Sequence, residues 1–398
     1  MQYRRILIGY LLFLILTLTS NSIFAATTIH YITIQYNTIQ EAINAANPGD
    51  TIQVKQGIYS ENIIVNKPLK ILGENKSTTI IQANDTNVIQ IIANDVYISG
   101  FTVINGDNGI TVGDASNCTI TDTIVFNNSI GICLERATNN LVSGNLIINN
   151  KRASIGCGIF LNDGSSKNII KENQVLNNGE GIYVRGSDNN LVSSNFIFNN
   201  TKTGVCLMKF KSCDYNIISH NIIEEGACYG IDLWSANYNI IFNNTLKNNG
   251  AGLQVSTSNN NTMYHNNLID NYIQIYSYDS VNIWDNGFEG NYWNDYNWTE
   301  FNLYGIGTIP YNISKRNPVN QDFFPLRSCY MKGDANHDCC INMTDADLLK
   351  LSWQTLQGES NYSPYVDFNQ DKIVDILDAT VIGYNWLKSQ TLDCQLKC

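Results

Sequence analysis

The chain has 398 residues, of which 43% are hydrophobic and only 15% are charged, and its formal net charge is −11. This length allows two or three domains and one large core. The acidic balance argues against a nucleic-acid partner, because binding to a phosphate backbone depends on Lys and Arg.

Residues 1–25 have the order of a secretory signal peptide. Two arginines precede an apolar run at residues 6–18, and the small residues Ala25 and Ala26 follow. The run is shorter than the roughly 20 residues that span a bilayer, so an uncleaved anchor is the less favoured alternative. We therefore expect a secreted, extracellular or cell-surface protein without a transmembrane anchor after cleavage.

The mature chain keeps all 11 cysteines, and in an oxidising compartment disulfides can persist. The number is odd, so at least one is unpaired within the chain. Two of the possible pairings involve Cys329, with either Cys394 or Cys398. Near the two insertions described below, Cys157, Cys213 and Cys228 could pin a loop. The pairing stays open, and no cysteine spacing predicts a zinc site.

The first expected element is a short amphipathic helix at about residues 38–46. Thr38 is a suitable N-cap, and Pro48-Gly49 would stop the helix. Such a helix would cover the open core of the first coil of a repeating structure. The stretch from Thr38 through Gly49-Asp50-Thr51-Ile52 to Gly57-Ile-Tyr59 resembles the opening of pectin-lyase-like β-helix proteins.

A repeat dominates the middle of the chain. The phrase Gly, aliphatic, variable, aliphatic occurs seven times, from Gly109-Ile-Thr-Val to Gly252-Leu-Gln-Val, at steps of 22 to 27 residues. Two further phrases begin with Asn, as in Asn190-Leu-Val and, five residues later, at Asn195. Each aliphatic-x-aliphatic triplet has a period of two, so every repeat supplies three short strands.

These strands predict an all-β, right-handed parallel β-helix over residues 26–327, with about 10 coils of about 22–23 residues. Asn suits the corners, because it tolerates left-handed turns and its amide can bond to the equivalent Asn in the next coil. We expect Gly to supply positive φ at the remaining corner.

The coils resemble the NosD-like and the carbohydrate-binding and sugar-hydrolase β-helix families. The terminal segment, residues 290–327, contains Gly290-Asn-Tyr-Trp-Asn-Asp-Tyr296 and Asp322-Phe-Phe-Pro-Leu326. It resembles the ending of NosD-like archaeal surface proteins. These resemblances imply the fold more specifically than the function. The copper link that the NosD resemblance suggests has no Met/His cluster behind it.

One outer face of the helix carries candidates for polysaccharide binding. Insertions at Lys151–Cys157 and Met208–Asp214 interrupt the same part of the coil and could wall this face. The outward positions two and four residues after each repeat Gly bring aromatic and charged groups together. The candidates are Glu135, Phe160, Tyr183, Arg185, Asp232 and Trp234. In the alternative, Phe160 and Tyr183 merely stack across coils and stabilise the sheet.

Catalysis has weaker candidates. A lyase or glycosidase needs a base or a pair of carboxylates at short range. Glu135 and Asp232 are about four coils apart, roughly 19 Å, which is too far for a pair. The remaining constellation consists of Asp163, Arg185, Asp188 and Asp232.

A different pattern begins after Leu326, and we assign residues 328–398 to a separate module. Two runs place oxygen-bearing residues at loop positions 1, 3, 5, 9 and 12, with a backbone carbonyl at position 7, the spacing that calcium prefers. Helical patterns follow at residues 346–353 and 379–386. The expected ligands of two calcium ions are Asp334, Asn336, Asp338, Cys340, Asn342 and Asp345, then Asp367, Asn369, Asp371, Ile373, Asp375 and Asp378.

This doubled loop-helix resembles a dockerin, a module that binds cohesin domains in extracellular assemblies. The resemblance implies a cohesin-type partner, contacted through Met343, Thr344, Ile376 and Leu377. The chain departs from the calcium-loop pattern at position 6, where Cys339 and Lys372 replace the usual Gly.

The leading hypothesis is therefore a secreted polysaccharide-binding or polysaccharide-processing β-helix, held in an assembly by a calcium-dependent dockerin–cohesin contact. The second is a polysaccharide lyase or glycoside hydrolase. The third is a structural surface-layer component in which the β-helix acts as a spacer.

Overall fold

The structure is a computed structural model that describes residues 29–31, 36–83, 86–151, 156–297, 300–314 and 320–389. The predicted signal peptide, Cys394 and Cys398 lie outside the described residues. The described chain forms an all-β parallel solenoid of about 11 turns, one more than predicted, followed by a small helical module.

Three parallel sheets, here called A, B and C in the order in which a coil visits them, run the length of the solenoid. Sheet A has 11 strands: Ile29–Tyr31, Thr51–Val54, Lys70–Gly73, Tyr97–Ser99, Thr119–Thr121, Leu141–Ser143, Ile169–Lys171, Leu191–Ser193, Ile217–Ser219, Ile240–Phe242 and Thr262–Tyr264. Sheet B also has 11 strands: Gly57–Ser60, Thr79–Gln82, Thr102–Ile104, Ile124–Phe126, Leu146–Ile148, Gln174–Leu176, Phe196–Phe198, Ile222–Glu224, Thr245–Lys247, Asn267–Ile269 and Tyr292–Trp293.

Sheet C has 10 strands, and most of them are longer: Ile63–Val65, Ile89–Ile91, Asn108–Gly113, Ile130–Glu135, Cys157–Asn162, Glu180–Arg185, Thr203–Met208, Tyr229–Trp234, Ala251–Ser256 and Ile273–Tyr278. Two short antiparallel pairs complete the strands: Tyr311–Asn312 with Gln321–Asp322, and Thr355–Leu356 with Ile373–Val374. The helices are α1 (Ile39–Ala45), α2 (Met343–Leu351) and α3 (Ile376–Ser389).

The aliphatic positions of the repeat fill one continuous core. In the sheet C strand Glu180–Arg185, for example, Ile182 and Val184 are fully buried. Parallel pairing then aligns each aliphatic side chain with its counterpart in the next coil, as Ile182 with Val205. The period-two pattern therefore determines which side of every strand faces the core.

Buried asparagine ladders hold the corners. Asn190 is 1% exposed, and its side-chain amide donates to Ser165 O at 2.9 Å and to Asn216 Oδ1 at 3.1 Å. Its own Oδ1 accepts from the amide and backbone N–H of Asn168. Each amide thus satisfies the polar backbone of a corner that water does not reach. The two predicted ladders are confirmed: Asn140, Asn168, Asn190, Asn216, Asn239; and Asn145, Asn173, Asn195, Asn221, Asn244.

A third ladder, which the sequence analysis missed, lies between sheets B and C. It comprises Asn128, Asn150, Asn178 and Asn200, and resumes at Asn249 and Asn271. Its signal in the sequence is the Asn-Asn doublet that ends most coils, as at residues 199–200.

Two predictions about the corners are wrong in detail. The left-handed residue is the one before each ladder Asn, such as Asn189 (φ 58°) or Tyr238 (φ 56°). The repeat glycines do not have positive φ. A Cβ on Gly131 would instead lie 2.5 Å from Gly158 O and 3.0 Å from the Asn150 amide. Gly is needed there because the ladder and the next coil leave no room for a side chain.

Each end of the solenoid is covered. Helix α1 matches the prediction: Thr38 and Glu41 form a reciprocal capping box, and Ile39, Ala42 and Ile43 bury in the main core. At the other end, Trp284 and Trp293 are fully buried. Covered ends leave no exposed core and few free strand edges.

The C-terminal module packs against the last coils. The Tyr330 ring stacks on His265 at 3.7 Å, and Tyr304 stacks on Tyr365 at 4.3 Å. His337, in the first loop, contacts the Tyr304 carbonyl through Nδ1 at 2.9 Å. Helices α2 and α3 begin three residues before the predicted helical patterns, because Asn342 caps the first helix from inside the loop.

The expected loop-pinning disulfides do not form. Cys157 and Cys213 are buried thiols, and Cys228 is an exposed thiol. In the part of the chain that the structure describes, no helix has the length and apolar character to cross a membrane.

Candidate functional site

The outer face of sheet C carries the two predicted columns of side chains. Register pairs Tyr183 with Phe160 and Cys206, and pairs Arg185 with Asn162 and Met208. The inner column therefore runs Cys133, Phe160, Tyr183, Cys206, Asp232, Gln254, and the outer column runs Glu135, Asn162, Arg185, Met208, Trp234, Ser256. One coil further on they end in Tyr276 and Tyr278, which the sequence analysis missed because Gln274 replaces the repeat Gly.

The N-terminal half of this face is closed by packing. Phe160 is only 7% exposed and stacks on Tyr183 with ring centroids 5.1 Å apart. Cys133 and Cys157 complete a small apolar cluster with Phe160. The Tyr183 hydroxyl lies 3.0 Å from Met208 Sδ. Phe160 thus packs within the sheet, which agrees with the alternative that Phe160 and Tyr183 stack across coils and stabilise it.

The charged candidates of this half already have partners. Glu135 lies 2.8 Å from the Arg136 guanidinium. Asp163 lies 3.2 Å from Lys211 Nζ, and that lysine, together with Arg136, holds the pKa of the Asp163 carboxyl below its ordinary value. The guanidinium of Arg185 lies over the Phe210 ring, 4.6 Å from its centroid.

Asp188 has a structural role. Its carboxylate accepts hydrogen bonds from the Ser212 hydroxyl at 2.6 Å and from the Asp214 N–H at 2.8 Å. It therefore holds the second insertion against the coil. Among the described residues, the ion pairs do not join Arg185 to Asp163 or Asp188.

The C-terminal half of the face is different, and Asp232 is its centre. Asp232 is 6% exposed, yet its Oδ1 has no hydrogen-bond partner. Burial, with a smaller contribution from Glu180, raises the pKa of this carboxyl to about 7. The next residue in the column, Gln254, is 7% exposed and its Oε1 also lacks a partner.

Exposed aromatic rings border these two polar atoms. Trp234 is 52% exposed, Tyr276 is 49% exposed and Tyr278 is 58% exposed. Tyr276 and Tyr278 also line a groove of about 1000 Å³, together with Thr257 and Asn259. Aromatic faces beside unpaired buried polar atoms are typical of ligand sites.

Glu180 is a second carboxylate that the sequence analysis missed. It precedes the repeat Gly and so lies in a third outward column, which the positions two and four beyond Gly do not sample. Burial raises its pKa, although Lys202 lies 3.7 Å from Oε1 and the Thr203 N–H donates to Oε2 at 3.1 Å. It lies two coils from Asp232, about 10 Å along the helix axis.

The two acidic loops of the C-terminal module share one conformation. Asp334 accepts from the N–H groups of loop positions 5 and 6 at 3.1 and 2.9 Å, and Asp367 does the same at 3.2 and 2.9 Å. Position 12 accepts from the N–H of position 9 in both, at 2.8 Å to Asp345 and 3.0 Å to Asp378. The loops are therefore structural duplicates.

Position 6 keeps the backbone that Gly would adopt. Cys339 has φ 71° and Lys372 has φ 74°, so both loops make the sharp turn at some cost in strain. Their carboxylates turn towards backbone N–H groups of their own loops. Calcium binding would therefore draw on Asn side chains and backbone carbonyl oxygens as well. Asn336 and Asn369 occupy position 3, and the carbonyls of Cys340 and Ile373 occupy position 7.

The expected partner-binding residues lie at the starts of the two helices. Met343 is 61% exposed, Ile376 is 62% exposed and Leu377 is 52% exposed, and Thr344 is also exposed. The module thus presents apolar side chains to solvent on a surface other than its core.

Comparison with known proteins assigns the solenoid to a family. The model of the family described as "Periplasmic copper-binding protein (NosD)" matches residues 43–212 and 156–298, which together are more than half of the chain. The chain belongs to the NosD family. Within the NosD match lie all the strands of sheet C from Ile63–Val65 to Ile273–Tyr278.

A relative at the sequence level is a cell surface glycoprotein of Methanothermus fervidus. It is 37% identical over 92 residues, which are 23% of this chain and 16% of that protein. This chain therefore spans only a small part of that relative's length.

Two solved structures share the solenoid. A pectate lyase, Pel9A, has a TM-score of 0.56 at 16% identity, over 66% of this chain and 80% of that one. An alginate lyase from Paenibacillus sp. str. FPU-7 has a TM-score of 0.51 at 13% identity, over 61% of this chain and 95% of that one. At these identities the likeness concerns the fold alone.

The described residues do not fit a copper site. His220 Nε2 lies 3.1 Å from the Asn243 amide, and His265 Nε2 lies 2.6 Å from Glu289. His337 is buried and bonded to the Tyr304 carbonyl. Within the ranges that the structure describes, no group of three or more His, Cys, Asp or Glu side chains is arranged to hold a metal ion. We therefore derive no copper chemistry for this chain.

Proposed function

We propose that this NosD-family chain is an extracellular or cell-surface protein that binds polysaccharide on the C-terminal half of the outer face of sheet C. One observation carries the proposal: the orphaned Asp232 Oδ1 and Gln254 Oε1 lie among the exposed rings of Trp234, Tyr276 and Tyr278. Sugars present apolar ring faces that stack on aromatic side chains and hydroxyls that satisfy buried polar atoms.

The location outside the cell has independent support. The relative from Methanothermus fervidus is described as a cell surface glycoprotein, and the family description is periplasmic. Residues 1–25 have the composition of a signal peptide. A protein in that position would meet the polysaccharides of a cell surface or its surroundings.

The test is binding of the full chain to a glycan array, followed by affinity measurements on the best ligand. Trp234→Ala should weaken binding about tenfold, since it removes the aromatic ring on which a sugar would stack. Phe196→Ala is the matched control, because Phe196 is 37% exposed but lies on sheet B. Failure of the parent protein to bind any glycan would remove the proposal.

For the C-terminal module we propose two calcium ions and a cohesin-type partner. The duplicated loop conformation supports the calcium ions, and the exposed Met343, Ile376 and Leu377 support an apolar docking contact. Calorimetry on the full chain should detect two sites per chain. The double variant Asp345→Asn, Asp378→Asn should lose both, whereas Asp114→Asn, on the solenoid, should keep them.

The docking step needs its own test. A calcium-dependent complex with a cohesin domain should weaken in the variant Ile376→Ser, Leu377→Ser, while both calcium sites remain filled. A complex that is indifferent to calcium chelation would contradict the proposed contact.

Cleavage of glycosidic bonds is a second candidate function, favoured by Asp232. A carboxyl group with a pKa of about 7 keeps a proton near neutral pH and can act as a general acid. Release of reducing ends from a bound polysaccharide, abolished in Asp232→Asn while binding persists, would establish it. Unchanged turnover in that variant would exclude Asp232 as the acid.

A further inference from the structure

The charges around Asp232 restrict what can bind there. Of the nearby cations, Lys202 lies 3.7 Å from the Glu180 carboxylate, and Arg185 lies over the Phe210 ring. Lys209 is exposed where the second insertion begins, and its backbone N–H donates to the Trp234 carbonyl at 3.0 Å. The groove beside Tyr276 and Tyr278 contains one carboxylate, Asp279, and its described lining residues include no Lys, Arg or His. Among the described residues, the groove and the surroundings of Asp232 therefore offer negative charge and little positive charge to neutralise an anionic ligand.

The two unpaired oxygen atoms, Asp232 Oδ1 and Gln254 Oε1, need a hydrogen-bond donor. Gln254 Oε1 is a hydrogen-bond acceptor only, and a carboxylate oxygen such as Asp232 Oδ1 accepts in its charged form. Hydroxyl groups of a sugar supply donors to both. A uronate also has hydroxyl donors, but its carboxylate adds two acceptors and a negative charge that repels Asp232 in its charged form.

The described residues of this face do not form a site for a bridging cation. Lyase-type sites could use calcium to join acidic side chains to an acidic sugar, but this requires several oxygen ligands in one place. Asp232 and Glu180 lie two coils apart, about 10 Å along the axis, which is too far for one calcium ion to bind both.

The exposed rings define the direction of the ligand. Trp234 and Tyr278 lie in the same column with Ser256 between them, two coils apart. This separation is about 10 Å along the solenoid axis. A ligand that contacts both rings must extend along the axis past more than one sugar ring, with Gln254 in the coil between them.

We infer that this face selects an uncharged, hydroxyl-rich polysaccharide that lies along the solenoid axis, in preference to a polyuronate. The inference rests on the proposed function of the same face. It also separates this chain from the substrates named for the two lyases that share its fold, pectate and alginate, both of which are polyanions.

The experiment compares the full chain on neutral polymers (mannan, xylan and β-glucan) and on polygalacturonate and alginate. Affinity electrophoresis is run at low and high salt, with calcium and with a chelator. We expect binding to a neutral polymer that salt and chelation leave within about twofold, because no charge pair holds the ligand. Asp232→Ala and Gln254→Leu should each weaken it about tenfold.

Phe196→Ala is the matched control and should retain binding, since Phe196 is 37% exposed but lies on sheet B. Thermal unfolding of each variant verifies that it is folded. Tighter binding to a polyuronate than to every neutral polymer, or polyuronate binding that requires calcium, overturns the inference but leaves polysaccharide binding intact. Binding to neither class overturns the proposed function and the inference together.

Discussion

Replacing Asp232 with Asn should stabilise the protein in a pH-dependent way. Burial raises the pKa of Asp232 from 3.8 to about 7. An acid with a raised folded-state pKa binds its proton more tightly in the native than in the unfolded protein. The buried Asp232 carboxyl therefore does not lower the free energy of unfolding below about pH 4. Above that pH the loss of stability grows until about pH 7. Each pKa unit is worth about 1.4 kcal/mol, so the full cost is at most about 4 kcal/mol.

An Asn at this position stays neutral throughout. We expect its free energy of unfolding to exceed that of the parent by about 2–4 kcal/mol near pH 8, with the difference vanishing near pH 4. Urea unfolding followed by circular dichroism at both pH values measures this. Asp122→Asn is the control, because Asp122 is an exposed carboxylate paired with Lys76. A stabilisation of Asp232→Asn that is equal at both pH values would refute the burial of an unpaired carboxylate.

Three further predictions concern the ladders, the face and the module. Asn195→Ala should lower the free energy of unfolding by about 3 kcal/mol or more in urea melts, since it removes the acceptor of both the Asn173 backbone N–H and the Asn173 side-chain amide. The exposed Asn44→Ala should change it by less than about 1 kcal/mol, and equal effects would contradict a stabilising role for the ladder. Arg185→Ala should leave polysaccharide affinity within about twofold, because its guanidinium lies on Phe210; a tenfold loss would return the binding site to the N-terminal half of the face. Calcium should raise the thermal midpoint of the C-terminal module by several degrees, and chelation should reverse the shift; an unchanged melt would count against calcium in the loops.

The sequence predicted the parts of this fold that depend on local periodicity. Alternating aliphatic residues determine which side of a strand is buried, so the pairing of Tyr183 with Phe160 could be foreseen from the spacing of the glycines. The role of those glycines could not. A side chain on Gly131 would collide with Gly158 of the next coil and with the Asn150 amide. Gly158 is distant in sequence, and Asn150 belongs to the third ladder, which was not predicted.

The site was predicted only in outline for a related reason. Whether a charged outward side chain is available depends on its neighbours in adjacent coils and loops. Asp163 is neutralised by Lys211 from the second insertion, and Asp188 is used to hold that insertion. Asp232 has no such neighbour, and its Oδ1 stays unpaired. These differences are set by loop conformations that carry no repeat.

Oxidative footprinting of the full chain with its best-binding polysaccharide tests the central claim most directly. Hydroxyl radicals modify exposed aromatic side chains, so a bound glycan shields the rings it covers. We expect protection of Trp234, Tyr276 and Tyr278, and unchanged oxidation of Phe126 and Phe196, which are 38% and 37% exposed on sheet B. Protection of the two sheet B residues without protection of the three face residues would contradict the account.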